Sequence, residues 1–267
     1  MKKQFVIKSL MLTGMFVSGM VFAQAVNTGP NKVYIEQLGN TNKVIIDQIG
    51  GNNNVGGVTD TTPVAVDATG VTTLTPAAPS STNYATINGS NNNVTLYQKG
   101  DVNSAQYNIK GSNNNYTSTI IGNSNQTKLE MGNQNTNTTN SNVTETVTGN
   151  NNLIIQTVVG DAINSTVKLT GDRNQVTKEL KSTNGTSYLE VTLGSDNVIN
   201  AQQIDSAGAN GHNLKNVITG SYNSITTQQQ GTNDSTIDIK TTGDHNTITV
   251  RSTNAASVLN PVTAIVR

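Results

Sequence analysis

The sequence predicts an all-β, single-domain β-solenoid of stacked two-strand coils, about 22 residues to the coil. Three observations predict it: an eleven-residue glycine beat, a period-two pattern between the glycines, and prolines that avoid the pattern. Glycines fall at Gly39 and Gly50, at Gly89, Gly100, Gly111 and Gly122, at Gly149, Gly160 and Gly171, and at Gly220 and Gly231; every step within a group is eleven residues. Gly132, Gly194 and Gly243 sit one residue off the beat or after a longer insertion. Composition rules out an ordinary packed globule. Of 267 residues 33% are hydrophobic, with no Cys and no Trp, while roughly 40 Asn and roughly 40 Thr far exceed ordinary usage. Disulfides and thiolate metal sites are excluded.

Residues 1–23 read as a secretory signal. Lys2, Lys3 and Lys8 precede a short apolar run to Phe22, with small residues at the candidate cleavage points after Ala23 or Ala25. The run is broken by Thr13, Gly14, Ser18 and Gly19, too short and interrupted for a spanning helix. Without it the chain holds 13 basic and 16 acidic residues, weakly acidic and lacking the basic footprint of a nucleic-acid binder. The expected product is secreted, with no transmembrane segment. Residues 24–30 form a short lead ending at Pro30.

Residues 31–54 hold the clearest repeats. The unit is a polar residue at 0, apolar at +2 and +4, Gln or apolar at +6 and Gly at +8: Asn31, Val33, Ile35, Gln37, Gly39, then Asn42, Val44, Ile46, Gln48, Gly50. Alternation of buried and exposed types means a strand with one buried face. The Gly-x-x-Asn that follows each strand is corner chemistry, since Gly takes positive φ freely and Asn tolerates it. Residues 55–82 are rich in Thr, Val, Ala and Pro, lose the beat and read as a long loop inserted after the first two units. Residues 83–256 resume the array, best at Asn92, Val94, Leu96, Gln98, Gly100 and Asn103, with degraded copies starting at Asn103, Asn114, Asn125, Asn152, Ile163, Asn174, Asn197, Asn223, Ser235 and Asn246. Residues 133–140 are Asn/Thr-rich and read as a second loop, and 257–267 form a tail. None of the five prolines (Pro30, Pro63, Pro76, Pro79, Pro261) falls inside a unit, as a central strand requires.

The spacing Asn-x5-Gln-x4-Asn-x5-Gln over Asn31–Gln48, with a glycine two residues after each Gln, resembles the curlin repeat of curli fibre subunits. The likeness is near-complete over Asn31–Asn53 and good at Asn92–Asn103. Gln98 and Gln229 keep the amide at +6, whereas Ile109, Ile120, Val147, Val158 and Leu169 replace it elsewhere. The resemblance implies a flattened β-solenoid, export through a dedicated outer-membrane secretion pore, a companion curli-type subunit, and self-assembly into extracellular amyloid of a biofilm matrix. The expected self-assembly core comprises the repeat residues named above together with Gly111, Gly122, Gly160, Gly171, Gly220, Gln229 and Gly231.

Neither an enzyme nor a cofactor protein is expected. His212 and His245 are the only histidines, and His245 beside Asp244 reads as a corner residue. Acidic residues such as Glu36, Asp47, Glu130 and Asp238 fall on exposed strand positions and read as solvation or aggregation gatekeeping. Calcium-binding repeats need a Gly-Gly-x-Gly-x-Asp run, which is missing here. An ice-binding column is disfavoured because Lys99, Lys110, Lys128 and Glu130 interrupt the outward Thr. The alternative to a fibre subunit is a monomeric solenoid adhesin or carbohydrate binder, using the 55–82 loop or Tyr34, Tyr97 and Tyr188 as contacts.

Overall fold

A computed structural model describes residues 21–24, 29–58, 84–132, 137–158, 163–178, 186–203, 212–230 and 236–253. They contain β1 (Val21–Gln24), β2 (Lys32–Val33), β3 (Ile35–Leu38), β4 (Lys43–Ile49), β5 (Asn54–Gly56), β6 (Ala85–Asn88) and β7 (Asn93–Lys99). There follow β8 (Ser104–Ser112), β9 (Asn115–Ile121), β10 (Gln126–Met131), β11 (Thr138–Thr139), β12 (Asn142–Thr148), β13 (Leu153–Thr157) and β14 (Ile163–Thr170). The last are β15 (Gln175–Thr177), β16 (Thr186–Leu193), β17 (Val198–Gln203), β18 (His212–Thr219), β19 (Ser224–Gln230), β20 (Thr236–Thr242) and β21 (Thr247–Thr253). The described residues include no helix.

The chain alternates between two sheets and climbs as it does so, which is the β-solenoid that the beat predicts. One sheet runs β1-β4-β7-β9-β12-β14-β16-β18-β20, and the other follows β2-β5-β8-β10-β13-β15-β17-β19-β21. Every pairing is parallel, for example Val44 with Val94 and Val94 with Tyr116. Parallel strands joined by corners have one face of each sheet turned inward, so apolar residues recur at alternate positions and stack on their counterparts. Ile46, Leu96, Ile109, Ile120, Leu129, Val147, Ile154 and Leu169 are all buried in this shared interior. β-Branched residues suit it because their stiff side chains pack on a pleated surface.

The two edges of the solenoid differ. Along one, Gly50, Gly100, Gly122, Gly149, Gly171, Gly194, Gly220 and Gly243 lie at φ between 105° and 128°. Two residues on, Asn52, Val102, Ser124, Asn151, Arg173, Asp196, Tyr222 and His245 all take left-handed φ of 56° to 61°. A side chain at Gly100 is excluded twice: its φ is +116°, and a Cβ would stand 2.1 Å from the Gly122 carbonyl oxygen of the next coil. Along the other edge Gly39, Gly89 and Gly111 begin a similar column, and Thr138 then pairs with Gly111 in place of glycine. Beyond it the segments that join the sheets at this edge, 159–162, 179–185, 204–211 and 231–235, lie outside the described residues. Among the described residues every corner of the glycine edge has the same length, three residues from glycine to the next asparagine, as in Gly50–Asn53 and Gly243–Asn246.

Two boundaries differ from the sequence reading. The insertion does not follow the second unit; it splits the third. Val55 in β5 pairs with Val33, and Ala85 in β6 with Ile35, so both halves of one unit flank the inserted residues. The periodicity was lost to view because a single strand was interrupted at its +3 position. The Asn/Thr-rich stretch 133–140 is likewise shorter as a loop, since Thr138–Thr139 form β11 and Asn140 completes a corner. Val21–Gln24 pair with Ile46–Ile49 of β4, so the last three residues of the expected leader share the first strand of a sheet. Residues 1–20 and the tail 257–267 lie outside the described residues.

Candidate functional site

The most regular polar feature is a buried asparagine ladder beside the glycine edge. Asn31, Asn53, Asn103, Asn125, Asn152, Asn174, Asn197, Asn223 and Asn246 stack coil upon coil. Each Oδ1 in the middle of the column accepts both the backbone N–H and the Nδ2 of the next; from Asn152 these reach Asn125 at 3.0 Å each. The other Nδ2 hydrogen donates to a glycine carbonyl of the adjacent coil, 2.7 Å for Asn125 to Gly149. The corner leaves these backbone groups without ladder partners, and the Asn amide satisfies them where water cannot reach. A second column, Asn42, Asn92, Asn114 and Ser141, does the same at the opposite edge. It stops there: Ile163, buried, stands in register beyond Ser141 at the start of β14.

Outside the ladder runs a third column, with the opposite sense. Asp101 accepts from the Gly51 N–H at 2.7 Å, Asn123 from Asp101, Asn150 from Asn123 and Asp172 from Asn150. Ser195, Ser221 and Asp244 continue it. On the exposed rim Arg173 forms a two-bond ion pair with Asp196, at 2.6 and 2.8 Å. The pair lowers the Asp196 carboxyl and raises the Arg173 guanidinium through that hydrogen bond. Tyr222 and His245 stack with centroids 5.0 Å apart. His245 is thus a corner residue, and Asp244 beside it is occupied by the Ser221 N–H.

The repeat residues named from sequence are distributed as follows. Asn31 and Asn103 lie in the long ladder; Asn42 and Asn92 lie in the short one. Val33, Ile35, Val44, Ile46, Val94 and Leu96 are core. Gly50, Gly100, Gly122, Gly171 and Gly220 make the regular edge, while Gly39 and Gly111 belong to the other. Gly160 and Gly231 lie outside the described residues. The inward amides form a pair, with Gln48 Nε2 donating to Gln98 Oε1 at 2.7 Å. Gln37 is half-buried and in register with Ile87, so it joins no amide ladder. Gln229 stands in register with Gln203 and Ser252. Tyr34 and Tyr97 are half-buried, and Tyr188 is in register with buried Ser165.

Two features escaped the sequence reading. On the outer face, Gln106, Lys128 and Ile155 stand in one column and are buried despite their outward parity. In the interior, a polar chain crosses from sheet to sheet: Tyr116 to Glu145 at 2.6 Å, Gln156 to Glu145 at 2.7 Å, Ser165 to Gln156 at 3.3 Å, and Lys178 to Ser165 at 2.7 Å. Counting back from Gly149 places Glu145 at the inward +4 position, and counting on from Asn174 does the same for Lys178. Periodicity carried that signal; residue type obscured it.

Among the described residues, no group of three or more His, Asp or Glu is placed to hold a metal. No helix there is long and apolar enough to cross a membrane. No family model matches the chain, and no curated protein or solved structure matches it.

Proposed function

We propose that the chain is a secreted, curli-like subunit that self-assembles end to end into extracellular amyloid fibres serving adhesion and a biofilm matrix. The observation that carries this reading is the C-terminal end of the array. Among the described residues β20 and β21 are the last strands of their sheets, each paired on one side. Asn246 donates to Asn223 at 3.0 Å and has no further rung beyond it among the described residues. A sheet that ends on open N–H and C=O groups is a template for another strand. Here the next strand would extend both backbone ladders and the asparagine column, and identical units stacked at about 4.8 Å have the geometry of cross-β. Export through an outer-membrane pore and a companion subunit belong to the same proposal, on the repeat spacing at Asn31–Gln48.

The test is assembly from denatured protein. Purified chain diluted from denaturant forms fibres that bind amyloid dyes, seed fresh monomer and diffract at about 4.7–4.8 Å along the axis. Persistence as a monomer for days at high concentration would overturn the proposal and favour a surface adhesin.

A further inference from the structure

The first and last coils carry complementary features. Core aliphatics of the coils between them are no more than 1% exposed, whereas Val33, Ile35 and Val44 in the first coil and Ile237, Ile239 and Ile248 in the last stand between 5% and 8%. The stacked core is therefore open at both ends. The asparagine column is open in opposite senses. Each Oδ1 accepts from the coil that follows, as Asn31 Oδ1 accepts from the Asn53 N–H at 2.9 Å. Among the described residues, Asn31 begins the column with an N–H that meets no Oδ1, and Asn246 ends it with an Oδ1 that meets no donor. Charge is matched as well. One outward column runs in unbroken register from Asp47 in β4, through Tyr97, Thr119 and Thr146, to Lys240 in β20. It starts on a half-exposed carboxylate and ends on an exposed amine. Neither has an ion-pair partner among the described residues.

Resting on the fibre-subunit reading, we propose that the last coil of one copy docks on the first coil of the next in the array's own register, locked by an ion pair between Lys240 and Asp47. Continuing the columns by one coil sets Ile237 on Val44, Ile239 on Ile46 and Ile248 on Val33, so the two open cores close on each other. Asn246 meets Asn31, joining the unused acceptor to the unused donor. Lys240 meets Asp47, and Arg251 stands opposite Glu36, a base and an acid at both positions. The other charges on the two end coils' strands, Lys32, Lys43 and Asp238, fall opposite Thr247, Thr236 and Ile45, so no like charges meet. A slip of two residues keeps every side chain on its face but separates Lys240 from Asp47, and in one direction it sets Asp238 against Asp47. An exposed ion pair adds little affinity; its part here is to fix register and partner end. Because the two faces differ, each added copy leaves the same two faces open and the stack propagates. The free edge of β4 already accepts a parallel strand: Val21–Gln24 lie on it, Ala23 opposite Gln48, and leader processing at either expected point leaves at most Gln24 there.

The chain has no cysteine, so single cysteines report the joint directly. Asp47→Cys and Lys240→Cys chains, each beginning at Val26, are refolded together and oxidised, and linked peptides are identified by mass spectrometry. Residues adjacent in a ladder lie about 4.8 Å apart, within the span of a disulfide. Links between positions 47 and 240 dominate. A statistical mixture of the three possible links would overturn the proposal, as would an excess of 47–47 and 240–240. Without cysteines, Lys240→Glu and Asp47→Lys each slow seeded elongation about three- to fivefold at low salt, and the chain carrying both recovers the wild-type rate. No recovery in the double exchange would overturn the pairing. Soluble dimers linked 47–240 without dye-binding fibres would support the joint and refute the fibre reading. Fibres linked only 47–47 and 240–240 would do the reverse.

Discussion

Replacing Asn125 by Ala removes one link from the middle of the long asparagine column. Its side chain donates to Asn103 Oδ1 at 3.1 Å and to the Gly149 carbonyl at 2.7 Å, and accepts from the Asn152 N–H and Nδ2 at 3.0 Å each. Alanine leaves the Asn152 N–H and the Gly149 carbonyl without these partners, in a corner that excludes water. An orphaned buried polar group costs about 1–3 kcal/mol, so two of them predict a loss of about 2–6 kcal/mol. Asn246→Ala at the open end sacrifices the single bond to Asn223, worth about 0.5–1.5 kcal/mol. Urea unfolding of freshly refolded monomer, followed by far-ultraviolet circular dichroism, measures both. Because neighbouring coils are the main contacts of each coil, a central defect also splits the array's cooperativity, visible as a lower slope or a second transition. Equal costs at the two positions, or a loss under about 1 kcal/mol at Asn125, would refute the ladder as a source of stability.

Ile46 is fully buried and its neighbour Asp47 half-exposed, so Ile46→Lys slows fibre growth far more than Asp47→Lys in dye-binding kinetics; equal effects would reverse the face assignment. Val102 is 52% exposed at φ 61°, a conformation unfavourable to a β-branched residue. Val102→Asn therefore raises stability by about 1 kcal/mol in the same urea assay, and destabilisation would contradict it. Burial raises the hydroxyls of Tyr107 and Tyr116 well above the ordinary tyrosine range, and Glu145 adds to the shift at Tyr116. A raised folded-state value contributes stability that is present below the unfolded value and lost as pH climbs through the folded one. These two rings ionise together with alkaline unfolding in an ultraviolet titration; ionisation in a chain that retains its strand signal would disprove their burial.

Strand, corner and inward face were legible because each rests on neighbours in sequence. Val44, Ile46 and Gln48 alternate with Lys43, Ile45 and Asp47, and Gly50 three residues before Asn53 marks the turn. The split third unit was not legible, since Val55 and Ala85 become parts of one strand position only when Val33 and Ile35 stand beside them. Nor was the asymmetry of the edges. Gly39 and Gly50 look alike in sequence, yet one column continues to Gly243 and the other passes to Thr138 after Gly111. Glu145 and Lys178 were hidden by the ordinary expectation that charged residues face water, which holds except where a partner waits inside.

Local chemistry alone decided that this chain builds parallel coils: period-two burial, positive-φ corners and prolines kept outside the units leave little else for an aliphatic-poor, Asn-rich chain to form. Stacking decided the rest. Which asparagines share a column depends on residues 22 to 50 positions apart coming together. Those distances vary from coil to coil, so no fixed spacing in the sequence encodes them; they are set when each new strand settles into register on the one before.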